Sequence, residues 1–214
     1  MAMLSRERVV AEALALADRD GLEALSMRNL AQELGVGAMS LYHYVESKDA
    51  LLDAMVDAVY AELDVPRPDR DWRDALRRTA VSTRETLTRH RWALPVMESR
   101  LQPGPANLRH HDAVLGCLRA AGFSVVHATY AYSIVDSYVY GFVVQEQQLP
   151  FDTPEELAAV AQAMLAELPA EEYPNLAETI RELSRSGFAF AQAFDVGLEL
   201  VLDGLERLLE ASDR

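Results

Sequence analysis

Cysteine, lysine and net positive charge are all scarce in this chain. Cys117 is the single cysteine among 214 residues, so no disulfide can close within the chain and zinc modules built on several cysteines are excluded. That suits a reducing, cytoplasmic setting. Lys48 is the single lysine; with the arginines it brings the basic total to 20 against 34 acidic residues, a net charge of −14. A uniformly basic nucleic-acid binder is thereby excluded, whereas a local basic site is not. Long apolar runs are missing too. The longest uncharged stretch, Ala120 to Val135, has 16 residues, fewer than the roughly 18 to 20 that a bilayer helix needs, and Met1 to Asp20 is too interrupted by charge for a signal peptide. No membrane partner is expected. No GxSxG, phosphate-binding glycine loop, dinucleotide fingerprint or HExxH occurs, and no nucleophile, base and orienting group stand together. The expectation is therefore no catalytic residue, no cofactor and no metal.

What is present is apolar spacing of three and four almost throughout, without alternating Val, Ile and Thr segments. The fold class is all-α. Ser5 caps a first helix that buries Val9, Val10, Ala13, Leu14 and Ala17 and stops at Asp20-Gly21. Ser26 caps a second that ends at Gly35, a third runs over 38–44, and Ser47 caps a fourth carrying Leu51, Leu52, Met55, Val59 and Leu63. Pro66 and Pro68 then break the chain. Helices follow at 71–91, 106–121, 125–147, 154–167 and 175–210, with breaks at Pro95, Pro103 to Pro105, Gly122, Pro150 and Pro169 to Pro174; the last region admits one helix or two. Small residues Ala191, Ala193 and Gly197 suggest close packing of the last helix on a copy of itself. The division is a three-helix domain over 1–48, a connecting helix over 49–66 and a larger helical domain over 67–214.

Residues 26 to 48 read SMRNLAQELGVGAMSLYHYVESK, a short helix, a glycine turn and a second short helix. Leu30, Leu34, Val36, Leu41 and Tyr44 fall where a helix-turn-helix needs apolar core, Ala31 where the helices approach, and Gly35 where the turn favours positive φ. The same pattern fits an αα-hairpin within a bundle. Weight shifts to DNA through the residues left over. Met39, Ser40, Tyr42 and His43 form the remaining face of the second helix, small Gly37 and Ala38 let its N-terminus enter a groove, and Lys48 and Arg28 flank it. Residues 1–48 carry five basic against seven acidic side chains, so most of the negative charge lies elsewhere.

The segment Ser26 to Leu52, through Leu41-Tyr42-x-Tyr44-Val45 and Ser47-Lys48-Asp49-x-Leu51-Leu52, resembles the DNA-binding domain of the TetR family of transcriptional regulators. The resemblance implies that Arg28, Gly37, Ala38, Met39, Ser40, Tyr42, His43 and Lys48 contact double-stranded operator DNA. Beyond Pro66 the chain resembles the tetracycline-repressor type of C-terminal domain, through Asp71-Trp72-Arg73, Ala121-Gly122-Phe123 and the stretch Gly141 to Gln148. In that register Met97 stands where a histidine, and Gln145 where an acid, helps to hold magnesium-chelated drug. A thioether and a neutral amide are poor partners for Mg²⁺, so tetracycline is not the expected ligand. The same register implies a small-molecule cavity lined by Thr79, Thr83, Met97, Arg100 and Val114, with Thr129, Tyr132 and Asp136 opposite and Trp92 nearby. Arg100 suggests an anionic ligand; Tyr132 and Asp136, four apart, suggest a polar one.

The reading is a ligand-responsive, homodimeric transcriptional regulator, a repressor released from its operator by an unidentified small molecule. One short helix reads few base pairs, so specific binding needs two half-sites about 34–36 Å apart; the helices near 125–147 and 183–208 would form a four-helix interface. Nearly complete release requires an effector preference of about 5.5 kcal/mol for the released form. A small-molecule binding protein without specific DNA binding is the alternative, and an enzyme using His111 or Asp136 a weaker one. His110, His111 and Asp112 read as a solvated helix start, Cys117 as core, and the Glu155-Glu156 and Glu171-Glu172 pairs as helix starts without chemistry.

Overall fold

The computed structural model describes residues 4–67, 69–151 and 153–211. Pro68, one of the two expected breaks, lies outside them. The described residues form eleven α-helices and no strand. Four come first: α1 (Arg6–Asp20), α2 (Met27–Glu33), α3 (Ala38–Leu41) and α4 (Lys48–Ala61). The next four are α5 (Trp72–Arg89), α6 (Ala93–Ser99), α7 (Pro105–Ala120) and α8 (Val125–Gln148). Then follow α9 (Pro154–Glu167), α10 (Pro174–Arg185) and α11 (Phe190–Glu210).

Local signals act where expected. Ser5 Oγ accepts from the Arg8 amide at 3.3 Å to start α1, and Gly21, at φ +82°, ends it with its N–H on the Ala17 carbonyl. On α1 the buried stripe is Val9, Ala13, Leu16 and their neighbours; Leu14, expected inside, lies on the flank and stays half-exposed. Pro95, expected as a break, sits in the first turn of α6, where no intrahelical partner awaits its missing N–H. The expected 175–210 region is two helices, parted at Gly187 with φ +67°.

α4 is the joint of the molecule, packing against α1 on one side and α6 and α7 on another. Its Leu51, Met55 and Val59 are fully buried, each burial contributing about 1.5–3 kcal/mol. Asp57 of α4 also caps α7 from outside: its Oδ1 accepts from the amides of Ala106 at 2.7 Å and Asn107 at 3.2 Å. Gly104 permits this approach, because a Cβ there would overlap the Asp57 carboxylate. The stretch between α4 and α5, expected as a boundary, is tied down: the Asp64 amide donates to Ser82 Oγ at 2.9 Å.

The later helices stack α5 on α8 and α8 on α11. Arg84 of α5 pairs with Glu146 of α8 and lies over the rings of Phe142 and Phe194, 5.1 and 4.8 Å from their centroids. Gly197 of α11 does admit a close neighbour, but that neighbour is Tyr138 of the same chain, whose hydroxyl donates to the Phe194 carbonyl at 2.8 Å. The close approach at Gly197 is thus made within one chain, while Ala191 of the same helix stays exposed.

Candidate nucleic-acid interface and ligand cavity

Ser26 fixes the start of α2, its Oγ accepting from the Asn29 amide at 3.1 Å. Gly35 turns the chain at φ +66°, and the Val36 amide returns to the Ala31 carbonyl at 2.9 Å. Leu30 and Leu41 are fully buried, with Ala31, Leu34 and Val45 close to it. α3 is shorter than expected: residues 42–44 continue as turns, with the Tyr44 amide on the Leu41 carbonyl at 2.9 Å. The side chains not needed for this core point outward. Met39 is 77% exposed and Tyr42 44% exposed. Arg28, Gly37, Ser40, His43 and Lys48 are exposed as well, and Ala38 is half-buried. Neither Arg28 nor Lys48 has an ion-pair partner among the described residues, whereas Arg19 is held by Asp20 and Glu33. Lys48 stands in the first turn of α4, after Ser47 caps it through the Ala50 amide at 3.0 Å. Cationic and polar groups beside two helix starts make a surface suited to phosphate oxygens.

Between α6 and α8 lies an open cavity of about 830 Å³, within the range that holds drug-sized molecules. Two expected ligand residues line it, Tyr132 and Asp136. Gln145, placed by register, does so too, and Glu98, Tyr140, Ser133 and Ser137 are additions. Tyr132 and Asp136 are hydrogen-bonded; burial, with Glu98 nearby, lifts the Asp136 carboxyl to about 6. Burial also pushes the Tyr132 and Tyr140 phenols above their ordinary range.

The other expected ligand residues are elsewhere. Thr79 and Thr83 are buried with their hydroxyls on the carbonyls of Asp64 and Thr79, at 3.3 and 2.8 Å. Val114 is core. Thr129 is exposed, its hydroxyl on the Val125 carbonyl at 3.0 Å; it shares the helical face of Tyr132 and Asp136 but lies a turn nearer the start of α8, beyond the cavity. Met97 and Arg100 border a separate crevice of about 60 Å³, and Arg100 is neutralised by Asp49 and Asp53 at 3.5 and 3.3 Å. That pairing removes the expected anion site.

Trp92, expected near the cavity, is held away from it. Its indole N–H donates to Asp18 of α1 at 2.7 Å, and His90 reaches the same carboxylate at 2.8 Å and Glu62, at the end of α4, at 3.2 Å. Burial would raise the Glu62 carboxyl, but Arg89 and His90 together hold it below its ordinary value. Trp92 thus belongs to a polar seam joining α1, α4 and the turn before α6. Since α6 also supplies Leu94, Pro95 and Glu98 to the cavity, one short helix touches both.

His110 and His111 are not a solvated helix start. α7 begins at Pro105, so they lie mid-helix. His110 is 4% exposed with neither ring nitrogen hydrogen-bonded, and burial holds it down to about 4. His111 stacks on Tyr132 at 4.0 Å between centroids. Cys117 is buried, with its thiol pushed up by that burial. Among the described residues no group of three or more His, Cys, Asp or Glu stands together as a metal site, and no helix is long and apolar enough to cross a membrane.

An uncovered recognition helix on a small head, joined by α4 to a helical body with a cavity, defines a ligand-responsive helix-turn-helix regulator of transcription. Residues 9–55 match the family described as bacterial regulatory proteins, tetR family, and residues 65–209 match the tetracyclin repressor-like C-terminal domain. The chain belongs to the TetR family. It is 36% identical to the HTH-type transcriptional repressor DrrR1 of Streptomyces coeruleorubidus, an alignment covering 96% of this chain and 78% of that protein. It is 33% identical to the tetracycline repressor protein class C of Escherichia coli, covering 97% and 93% respectively. The TetR family protein ActR of Streptomyces coelicolor, solved in complex with actinorhodin, superposes with a TM-score of 0.79 at 30% identity, covering 96% of each chain.

Proposed function

We propose that the chain acts as a homodimeric repressor, without catalysis, whose residues 1–48 read operator DNA, whose residues 49–66 connect, and whose residues 67–214 dimerise and bind the effector. The observation that carries this is the sorting of α3: Leu41 inside, Met39, Ser40, Tyr42 and His43 outside. Arg28 and Lys48 anchor phosphates on either side, with Gly37 and Ala38 clearing the approach to the groove.

Two heads are needed for one operator. Val126, Tyr130 and Ile134 expose one apolar stripe on α8, and Val196 and Leu200 another on α11; pairing these faces across a two-fold axis buries them as a four-helix interface. The effector occupies the cavity on α6 and α8, with Tyr132 and Asp136 as its polar contacts. Movement of α6 reaches α1 through Trp92 and His90 and reaches α4 directly, altering the spacing of the heads. The relatives named as repressors, and ActR with its bound small molecule, support this reading.

The test is fluorescence anisotropy on duplexes tiling the gene's own upstream region. A salt-dependent, sequence-specific complex of two chains per site is expected. Binding that does not distinguish those duplexes from scrambled DNA at low salt overturns the proposal.

A further inference from the structure

The chemistry of the cavity between α6 and α8 goes beyond its location. Two carboxylates, Glu98 and Asp136, line it, and no arginine, lysine or histidine does. Neither carboxylate has an ion-pair partner among the described residues. Several other acids near α5 and α6 are matched: Glu146 by Arg84, Glu62 by Arg89, Asp49 and Asp53 by Arg100. Asp136 is drawn partly out of water with the exposed carboxylate of Glu98 near it; like charges so placed repel, and a positive charge between them relieves the repulsion and the hydration lost by Asp136. The remaining wall is apolar or aromatic, with Leu94, Pro95 and Val144 beside the Tyr132 and Tyr140 rings; aromatic faces attract cations.

We infer that the effector is an organic cation, a polycyclic or aromatic molecule carrying a protonated amine, with the amine held by Glu98 and Asp136 and the ring system against Tyr132 and Tyr140. This rests on the reading of the cavity as the effector site. Tyr132 donates to Asp136 and fixes the carboxylate, while Ser133 and Ser137 offer hydroxyls to polar substituents. An acidic ligand of the same shape meets two like charges and no donor strong enough to offset them.

Three tricyclic probes of one shape separate charge from size: 9-aminoacridine (cationic), acridine (neutral) and acridine-9-carboxylate (anionic), titrated calorimetrically into the full chain at pH 8 without DNA. The cation is expected to bind at least tenfold more tightly than the anion, with acridine between. In the Glu98→Gln, Asp136→Asn double variant, checked by its thermal transition, that ratio is expected to fall below about threefold. Equal or tighter binding of the anion, no binding of any probe, or a ratio that survives in the double variant overturns the inference. A Ser137→Trp variant, which fills the cavity from the α8 side, tests the underlying reading separately: it is expected to block all probes whatever their charge. If binding survives it, the cavity is not the site; if it blocks binding while the anion wins, the site stands and the charge preference is wrong.

Discussion

The reading head and the effector body use opposite kinds of residue. In the head, the residues proposed to read DNA, such as Met39, Tyr42 and Lys48, are side chains the core leaves outside. In the body, those proposed to meet the effector are polar side chains carried partly inside, such as Tyr132, Asp136 and Tyr140 around the cavity. The head therefore separates folding from binding residue by residue. The body does not, because the groups proposed to meet a ligand also carry the cost of their own burial.

The sharpest way to break this contrast is Leu41→Ala. Leu41 is fully buried in the head, so its truncation is expected to cost about 2–5 kcal/mol and to abolish DNA binding by loss of fold, seen in circular dichroism. Met39→Ala is expected to leave the melting transition unchanged while altering DNA affinity; a matching loss of stability would erase the distinction.

His110→Leu comes next. A histidine whose value falls from 6.5 to about 4 in the folded state stays neutral while the unfolded chain takes up a proton, so its presence lowers stability as pH drops from 6.5 to 4, by about 3 kcal/mol in all. Its neighbours Tyr60, His111 and Asp64 offer it no hydrogen bond. The leucine variant is expected to be no less stable at pH 7 and to gain on the parent as pH falls, followed by urea unfolding. Parallel pH profiles would refute a burial effect.

Asp136→Asn tests the opposite slope over nearly the same pH range. Its carboxyl rises from 3.8 to about 6 on folding, so the parent loses stability as pH climbs through that interval. The amide variant is expected to be more stable at pH 7 by up to about 2 kcal/mol, reduced by solvent at the open cavity. A less stable variant at neutral pH would mean that the carboxylate is held by a favourable partner.

The smaller effects return to the head. Tyr42→Phe is expected to weaken operator binding by about 1 kcal/mol with unchanged melting; a drop in melting temperature would place Tyr42 in the core. Lys48→Ala is expected to weaken binding to every sequence alike and to reduce the salt slope by about one phosphate contact. An unchanged slope would put Lys48 off the backbone.

Much of the head was legible because its signals are local. Ser26, Gly35 and Ser47 act within three or four residues of themselves, and a helix pair so short leaves few ways to divide core from surface. In the body, the spacing of Tyr132 and Asp136 marked one face of α8, and the same four-residue step leads on to Tyr140. Glu98 carried no such mark. It shares a cavity with Asp136 only because packing sets α6 across from α8, and no periodicity within either helix encodes that. Trp92 and Arg100 were misplaced for the same reason: register along a chain does not say which acid a side chain will find, and Asp18 and Asp53 arrive from distant helices.

By itself the sequence determined most of the helices, the serine caps and glycine turns that bound the first four, and which side chains around α3 would remain uncovered, since these follow from interactions reaching no farther than a turn; α6, where Pro95 reads as a break, was not among them. Tertiary structure alone decided which carboxylates are neutralised and which stand bare, how α6 comes to touch both cavity and seam, and that His110 is buried without a partner. Charge pairing and desolvation depend on distance through space, and distance through space is fixed only when the helices pack.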